Sequence, residues 1–450
     1  MKDFSIYEEM LDKKQYHALR SELLEQDHAD IAQLIENISV DKAVLIFRML
    51  PKDIAAETFA DLFSDVQMSL IQRLSDTEIH FIIEELFLDD AVDFIEEMPA
   101  TIAKKVLANA KAETRDEINR LLKYSENSAG SIMTVEYVDL KKEMTVRESF
   151  SRIRRIGTDK ETIYTCYVTD SERKLEGVVS AKTLMLAERD EIIGDIMEDT
   201  NLIVAETLED REEIAHRVSK YDLLSIPVVD SENRLVGIIT VDDIADVIQE
   251  EATEDFEIMA AMLPSEKPYL KTSVFELFKN RIGWLVGLMI MGMGTGIILQ
   301  VFEDAMLAVP LLITFIPMLT DTGGNAGSQS ATMVIRGMAV SEISPRDFLK
   351  VAWKEIRISL MAGVVLAIVA FLRVLLINTG KSDIYIEGAV ISVTIIFTVF
   401  MSKLCGAALP ILAKKIKIDP AVMAAPLITT IVDTSSLIVF FMIAKLFLGI

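Results

Sequence analysis

Cysteine is nearly absent from the 450-residue chain: the two present, Cys166 and Cys405, fall in different regions. Neither a disulfide frame nor a thiolate metal site is supported, and a reduced compartment fits. Histidine is almost as scarce, and His17, His28, His80 and His216 all lie before residue 272. No HExxH pair is formed, so an intramembrane metalloprotease would lack its ligands and an enzyme is not expected. The opening MKDFSIYEEMLDKKQYHALR has no short apolar core before a small-residue cleavage site, which argues against a secretory signal and for a cytosolic N-terminal part. Basic residues are also in short supply there. Up to Thr272 the chain carries 59 acids against 31 Lys plus Arg, a net of −28, whereas the remainder has 11 acids and 14 bases, a net of +3. So acidic a block cannot neutralise nucleic-acid phosphates, and it favours cations instead.

Apolar runs of membrane-spanning length, about 20 residues, begin only near Ile282. Five are expected, approximately Ile282 to Phe302, Met306 to Ile335, Ile356 to Asn378, Ala389 to Ala413 and Ala421 to Leu448. The second is too long, and too polar in its latter half, to be one simple helix. Basic clusters alternate with acidic loops. Lys271, Lys279 and Arg281, then Arg336 to Arg357, then Lys414, Lys415 and Lys417 belong on one side, and Glu303, Asp304, Lys381, Asp383 and Glu387 on the other. The positive-inside rule puts the acidic part in the cytosol, and five spans leave the C-terminus outside. Gly283 and Gly287, and again Gly292 and Gly296, have the spacing of close helix packing. The GKS triplet at Gly380 to Ser382 lacks the earlier glycine of a phosphate loop, since Leu375 stands there.

From about residue 15 to 125 apolar positions recur every three or four residues, as in DIAQLIENI, KAVLIFRML and DDAVDFIEEM, which predicts short amphipathic helices stacked as a solenoid. After Tyr124 the chain repeats itself about 60 residues on. VTDSERKLEGVVS aligns with VVDSENRLVGIIT, and Ile132 and Met133 with Ile196 and Met197. Each unit reads as strand, helix, strand, DSE turn, a strand ending at Gly177 or Gly237, and a closing helix. The pair resembles tandem cystathionine-β-synthase-type (CBS) domains, which are regulatory modules. In that family a G-h-h-S/T-x-x-D ending accompanies adenine-nucleotide binding. GIITVDD has Gly237, Thr240 and Asp243 in place, while GVVSAKT puts Thr183 where the acid would be. ATP or another adenine nucleotide at Thr240 and Asp243 is one reading, and a pair that senses something else is the other.

Asp243, Asp246, Glu250, Glu254 and Glu257 are spaced three, four, four and three apart, a stripe along one helical face; Glu85, Asp89, Asp93 and Glu96 make a second. A single stripe is ordinarily a solvated face. Two facing stripes repel, and divalent cations, which take oxygen ligands, reverse the sign. In the membrane part, TDTGGNAGSQSATM (Thr320 to Met333) is rich in glycine and amides and belongs where it is buried in protein or lines a water-filled path. A polar helix-packing seam is the plainer alternative. Asp433 stands alone in PLITTIVDTSSLIVFF, roughly 18 Å into the last span at 1.5 Å per residue. A carboxylate there must meet water, a cation or a partner. Asp321 and Lys403 are the other ionisable groups to consider, and a structural Lys403–Asp433 ion pair is the simplest alternative.

TGGNAGSQSAT, the DPAVMAAPLITTIVD stretch, the CBS pair and the acidic solenoid, in that relation along essentially the whole chain, resemble the MgtE family of magnesium channels. The resemblance implies a multidomain fold: an acidic all-α solenoid (1–127), a tandem α/β CBS pair (128–250, about 130–193 and 194–250), a connecting or plug helix (251–272) and a five-span α-helical transmembrane domain (273–450). It implies a homodimer in the bacterial inner membrane with a pore at the subunit interface, where Asp433 of each protomer binds hydrated Mg²⁺. Gly323, Gly324, Asn325 and Gln329 would line it, with Asp419 at its cytosolic mouth. Glu57, Asp89, Asp93, Asp222, Asp243, Asp246, Glu251, Glu254 and Asp255 match the cytosolic sensor acids. The expected function is Mg²⁺ uptake down its gradient, closed when cytosolic Mg²⁺ binds between solenoid, CBS pair and plug helix. Another divalent cation, Mn²⁺ or Co²⁺, with nucleotide modulation, is the alternative. A CBS-gated anion transporter is disfavoured by the buried acid. Family members often have glycine just after the pore aspartate; here Thr434, Ser435 and Ser436 follow it.

Overall fold

Ten short helices open the chain, from α1 (Ser5–Asp12) to α10 (Ala112–Leu121). The computed structural model describes residues 4–265, 269–270, 272–377, 384–423 and 425–448; Lys271, Lys381, Asp383 and the Gly380–Ser382 triplet lie outside them. Several of the helices start at a local signal. Pro51 and Pro99 stand at helix starts, Asp27 accepts from Ala29 N–H, and Ser75 with Glu78 forms a capping box. The apolar faces meet in one core with Phe47, Phe59 and Phe94, the last two edge to face at 4.9 Å. One expected stripe is broken. Glu85 ends α7 (Asp76–Glu85) and Asp89 belongs to α8 (Leu88–Glu96), with Leu86 and Phe87 extended between them at ψ 144° and 155°. The four acids therefore do not share a helical face.

The repeat yields two three-stranded sheets of the same design. The first is β1 (Asp139–Leu140), β2 (Thr165–Thr169) and β3 (Leu175–Ser180); the second is β4 (Ala205–Glu206), β5 (Ser225–Val229) and β6 (Leu235–Thr240). In each, the short strand pairs parallel with the central one and the DSE hairpin supplies the antiparallel partner. β3 and β6 run past Gly177 and Gly237 rather than ending there. The reason is an exchange between the repeats. Thr134, ahead of the first sheet, pairs reciprocally with Ile238 at 2.8 Å, and Glu198, ahead of the second, pairs with Val178 at 2.8 and 2.9 Å. A Cβ at Gly237 would meet Met133 Sδ at 2.7 Å and one at Gly177 would meet Met197 Sδ at 2.8 Å. Glycine and methionine repeat together because each fills the other's space. Tyr167 and Ser225 share a buried hydroxyl hydrogen bond of 2.6 Å between the sheets.

After β6 a single helix, α15 (Val241–Met259), runs without a break, so Asp243, Asp246, Glu250, Glu254 and Glu257 do lie on one helix. The chain divides into two compact units inside it, at Ile248 and Gln249. In the second unit the long helices are α16 (Val274–Val301), α18 (Leu311–Ala339), α19 (Phe348–Ile377), α20 (Ile384–Lys415) and α21 (Ala425–Leu448), with a short α17 (Glu303–Ala308) before α18. Four of these, α18 excepted, are long and apolar enough to cross a membrane. α18 has 29 residues, ample for about 20, but carries the polar stretch. Contrary to the expectation of an interrupted span, α18 is one continuous helix through Pro317 and all of TDTGGNAGSQSATM. Its glycines are the reason it can be. A Cβ at Gly323 would meet Val432 at 2.8 Å and Thr398 at 2.9 Å, and one at Gly327 would meet Ile428 at 2.7 Å. Glycine here serves close helix contact with α20 and α21, not chain flexibility. α16, by contrast, buries none of its residues, and its glycines have nothing within 4 Å.

Candidate metal centre

Within the first unit, three carboxylates from separate segments converge. Asp89 comes from α8, Glu136 from the segment that leads from Thr134 into β1, and Glu161 from the approach to β2. One oxygen of each lies within 4.8 Å of the other two. Backbone bonds fix the loop positions. Glu161 N–H donates to Glu136 O at 2.9 Å, and Glu136 Oε2 accepts from Leu88 N–H at 3.0 Å. Asp89 is only 7% exposed and its Oδ1 accepts Asp90 N–H at 3.1 Å. Glu161 Oε2 is buried with no hydrogen-bond partner. Beside the three stand Asp90 and the α15 N-terminus, where Asp243 accepts from Thr240 Oγ1 at 2.6 Å.

So many acids in one place hold their protons. Burial, then the charge of Asp243, pushes Asp90 up to about 7; burial, Asp243 and Asp242 push Glu161 up to about 8. Asp243 rises to about 6, chiefly by burial, against the opposing Thr240 bond, and burial raises Asp89 and Glu136 as well. The donor set fits a hard divalent cation. Oxygens on one octahedral Mg²⁺ at ~2.1 Å can be up to ~4.2 Å apart, so the 4.8 Å spread closes on one ion with a small movement or through retained water.

Asp89 and Asp243 are the expected residues at this cluster. Glu136, Glu161, Asp90 and Asp242 were not anticipated, and only the acid excess signals them, because no spacing rule links loops so far apart in sequence. The other expected sensor acids lie outside the cluster, some in the first unit and some in the second. Glu57, on α5 (Lys52–Ala60), is exposed and acts on His28; Asp93 and Asp246 are exposed on α8 and α15. Asp222 closes α14 (Arg211–Tyr221) in the left-handed region at φ 52°. Glu251, Glu254 and Asp255 continue α15 in the second unit, where Met259 packs against Ala331, Ile335, Ile428 and Val432.

In the membrane helices, Asp433 is half-buried on α21. Its Oδ1 is buried without a hydrogen-bond partner, and the charge of Asp321 acts on it. Asp321, Asn325 and Gln329 follow at intervals of four on α18 and are all exposed, whereas Gly323 and Gly324 are buried on its packed side. Asp419 is exposed and accepts Ala421 N–H at 2.8 Å. The Lys403–Asp433 ion pair does not form: Lys403 donates instead to Ser330 Oγ at 3.4 Å. Ser435 donates to Ile431 O at 2.8 Å and Ser436 is buried, so both serines fit within α21.

Three comparisons bear on this arrangement. Residues 316–443 match the profile of a family described as divalent cation transporter, 26–127 match the MgtE intracellular N domain and 193–250 the CBS domain. The chain is 36% identical to the magnesium transporter MgtE of Thermus thermophilus over 98% of its length and 97% of that protein's, and 31% identical to that of Bacillus subtilis over 93% and 94%. The crystal structure of the cytosolic domain of the Mg²⁺ channel MgtE in complex with ATP covers 54% of this chain and 100% of its own, with a TM-score of 0.52 and 35% identity. With solenoid, CBS pair, polar helix and lone aspartate in the same order over nearly its full length, this chain belongs to the MgtE family of magnesium transporters.

Proposed function

We propose that the chain carries Mg²⁺ through the membrane of a bacterial cell down its electrochemical gradient, with Asp433 and the Asp321, Asn325 and Gln329 face of α18 along the ion's path. That polar face, left exposed by the single chain in an otherwise apolar bundle, is the observation that carries the reading. A second copy of the chain would cover it and supply a second Asp433. One carboxylate from each protomer suits hydrated Mg²⁺, which keeps several waters and takes one or two carboxylates. The orientation puts the acidic unit in the cytosol and the C-terminus outside.

The acid cluster serves as the sensor. Mg²⁺ held by Asp89, Glu136 and Glu161 cancels the repulsion that also involves Asp90, Asp242 and Asp243. Asp243 and Asp242 open α15, and the far end of α15 packs, through Met259, on the core beside Asp433. Closure requires that Mg²⁺ bind the closed state better, and a swing from mostly open to mostly closed takes about 5.5 kcal/mol in total. Glu57, Asp93, Asp222, Asp246, Glu251, Glu254, Asp255 and Asp419 are further acids that can share it. ATP or another adenine nucleotide remains a second ligand of the CBS pair, at Thr240 and Asp243. The test is divalent flux into liposomes bearing the full chain, with Mn²⁺, Co²⁺ and Ca²⁺ as competitors. Mg²⁺ entry blocked by internal millimolar Mg²⁺ supports the reading, and flux indifferent to it rejects the sensor.

A further inference from the structure

The membrane helices bury two opposite charges that play no part in the site above. Glu355, on α19, is 9% exposed and Lys403, on α20, is 5% exposed. Between them stands Ser330 of α18, itself 2% exposed. Its hydroxyl donates to Glu355 Oε2 at 2.6 Å and accepts from Lys403 Nζ at 3.4 Å. Donor and acceptor directions agree along the chain, from ammonium to hydroxyl to carboxylate. A hydroxyl polarised this way is a stronger link than one between neutral groups.

A lone ammonium or carboxylate buried between helices is costly, and each is tolerated here because the other is present. The link also reaches α18 from behind. At 100° per residue Ser330 lies well round the helix from Asn325, so the face carrying Asp321, Asn325 and Gln329 is the one it leaves free.

We propose that Lys403 is a positioning residue for ion passage: through Ser330 and Glu355 it ties α18 to α19 and α20 and fixes the rotation of the polar face of α18. The proposal rests on the reading of that face as the ion's path. It follows that the positive charge of Lys403 is spent inside the bundle and does not compete with the cation at Asp433. Lys403 is then a determinant of how many ions pass, not of how tightly they bind.

The experiment is a double-mutant cycle on the full chain, with Lys403→Met, Glu355→Gln and the pair combined. It is read by thermal unfolding in detergent and by Mg²⁺ flux in liposomes across external Mg²⁺ concentrations. Each single variant is expected to lower the unfolding temperature by ~5 °C or more and to reduce maximal flux with the half-saturating Mg²⁺ unchanged. The pair should recover most of the loss, and Lys403→Arg should retain flux. Ser330→Ala keeps both charges and answers if a single charge variant fails to fold; it should lower both readouts by less. Additive losses, or single variants that change neither readout, overturn the proposal. So does a Lys403→Met variant that unfolds normally but shifts the half-saturating Mg²⁺, since that places the ammonium in the ion's path. Asp433→Asn run alongside separates the two readings: undiminished flux in that variant removes the path, while the thermal cycle still judges the tie.

Discussion

The two units bury carboxylates in opposite ways. In the first, Asp89, Asp90, Glu136, Glu161 and Asp243 crowd together, and burial first, then for all but Glu136 the charge of neighbouring acids in the crowd, raises their proton affinity. In the second, Glu355 is matched to Lys403 through Ser330, and Asp433 stands apart with a buried oxygen that finds no protein donor. Glu387 of α20, 7% exposed, also has a buried oxygen without a partner, but it is not beside the polar face of α18 as Asp433 is. On the function proposed above, compensated charge holds helices, a crowd of uncompensated charge answers to cation concentration, and the uncompensated charge beside the polar face makes a place for an ion. The chemistry of the side chain is the same throughout, and its neighbours decide the role.

The largest effect should come from the single acid. Asp433→Asn keeps size and removes the charge, and Mg²⁺ flux in liposomes should fall by about two orders of magnitude. Flux within twofold of the parent would erase the contrast by showing that the membrane unit does not depend on its lone carboxylate. Close behind is a purely steric change. A Cβ on Gly406 would collide with the Gly327 backbone, its carbonyl carbon at 3.0 Å, where α18 and α20 cross. Gly406→Ala must separate the helices and should destabilise the membrane unit by about 2–3 kcal/mol. The same substitution at Gly296 on α16, which has nothing within 4 Å, should leave the single chain's stability nearly unchanged.

The acid crowd should behave in the opposite sense. Asp89→Asn with Glu161→Gln removes repulsion and ligands together, so the doubly substituted chain should unfold at a higher temperature than the parent in EDTA. The Mg²⁺-induced rise, worth about 2.7 kcal/mol at a hundredfold excess over the dissociation constant, should be largely lost. Calorimetry with and without millimolar Mg²⁺ reads both. A variant that still gains the full Mg²⁺ stabilisation would move the sensor elsewhere.

Much of this architecture was legible before any coordinates. Three- and four-residue periodicity marked the solenoid helices, and the DSE repeat marked both hairpins. What escaped was tertiary. Length and polarity argue against one simple helix through TDTGGNAGSQSATM, yet its glycines, buried against Val432, Thr398, Thr429 and Ile428, are contact points of a continuous one. Gly177 and Gly237 looked like strand ends because the exchanged segments carrying Met197 and Met133, which need their space, pair from the opposite repeat. Asp433 was conspicuous because one charge in an apolar run breaks a pattern. Glu136 and Glu161 were invisible because one acid more in a block of net −28 breaks none.

The smallest predicted effect is the dependence on pH, and its sign follows from the raised proton affinities. An ordinary Asp or Glu loses its proton near pH 4 in the unfolded chain. In the folded chain Asp243, Asp90 and Glu161 hold theirs to about 6, about 7 and about 8. Between pH 4 and 8 the folded state therefore binds more protons, and without Mg²⁺ stability falls as pH rises through that window. His28 acts in the same direction: burial, the largest influence, pulls its proton affinity down, but the hydrogen bond to Asp61 together with the charges of Asp61, Asp27 and Glu57 outweighs it. Glu78, held near 2 by its hydrogen bond to Arg48, works in the opposite sense, but its contribution is lost only below about pH 4 and so lies outside the window. In EDTA the first unit should unfold at a higher temperature at pH 5 than at pH 8, and the Asp89→Asn, Glu161→Gln chain, which retains His28, should show a shallower slope. Millimolar Mg²⁺ should flatten the parent's slope too, since an ion that takes the protons' place is most effective where protons have left. An EDTA unfolding temperature that climbs from pH 5 to pH 8 would mean that the acids of the first unit are solvated singly, and the contrast with Asp433 would then lie in number alone.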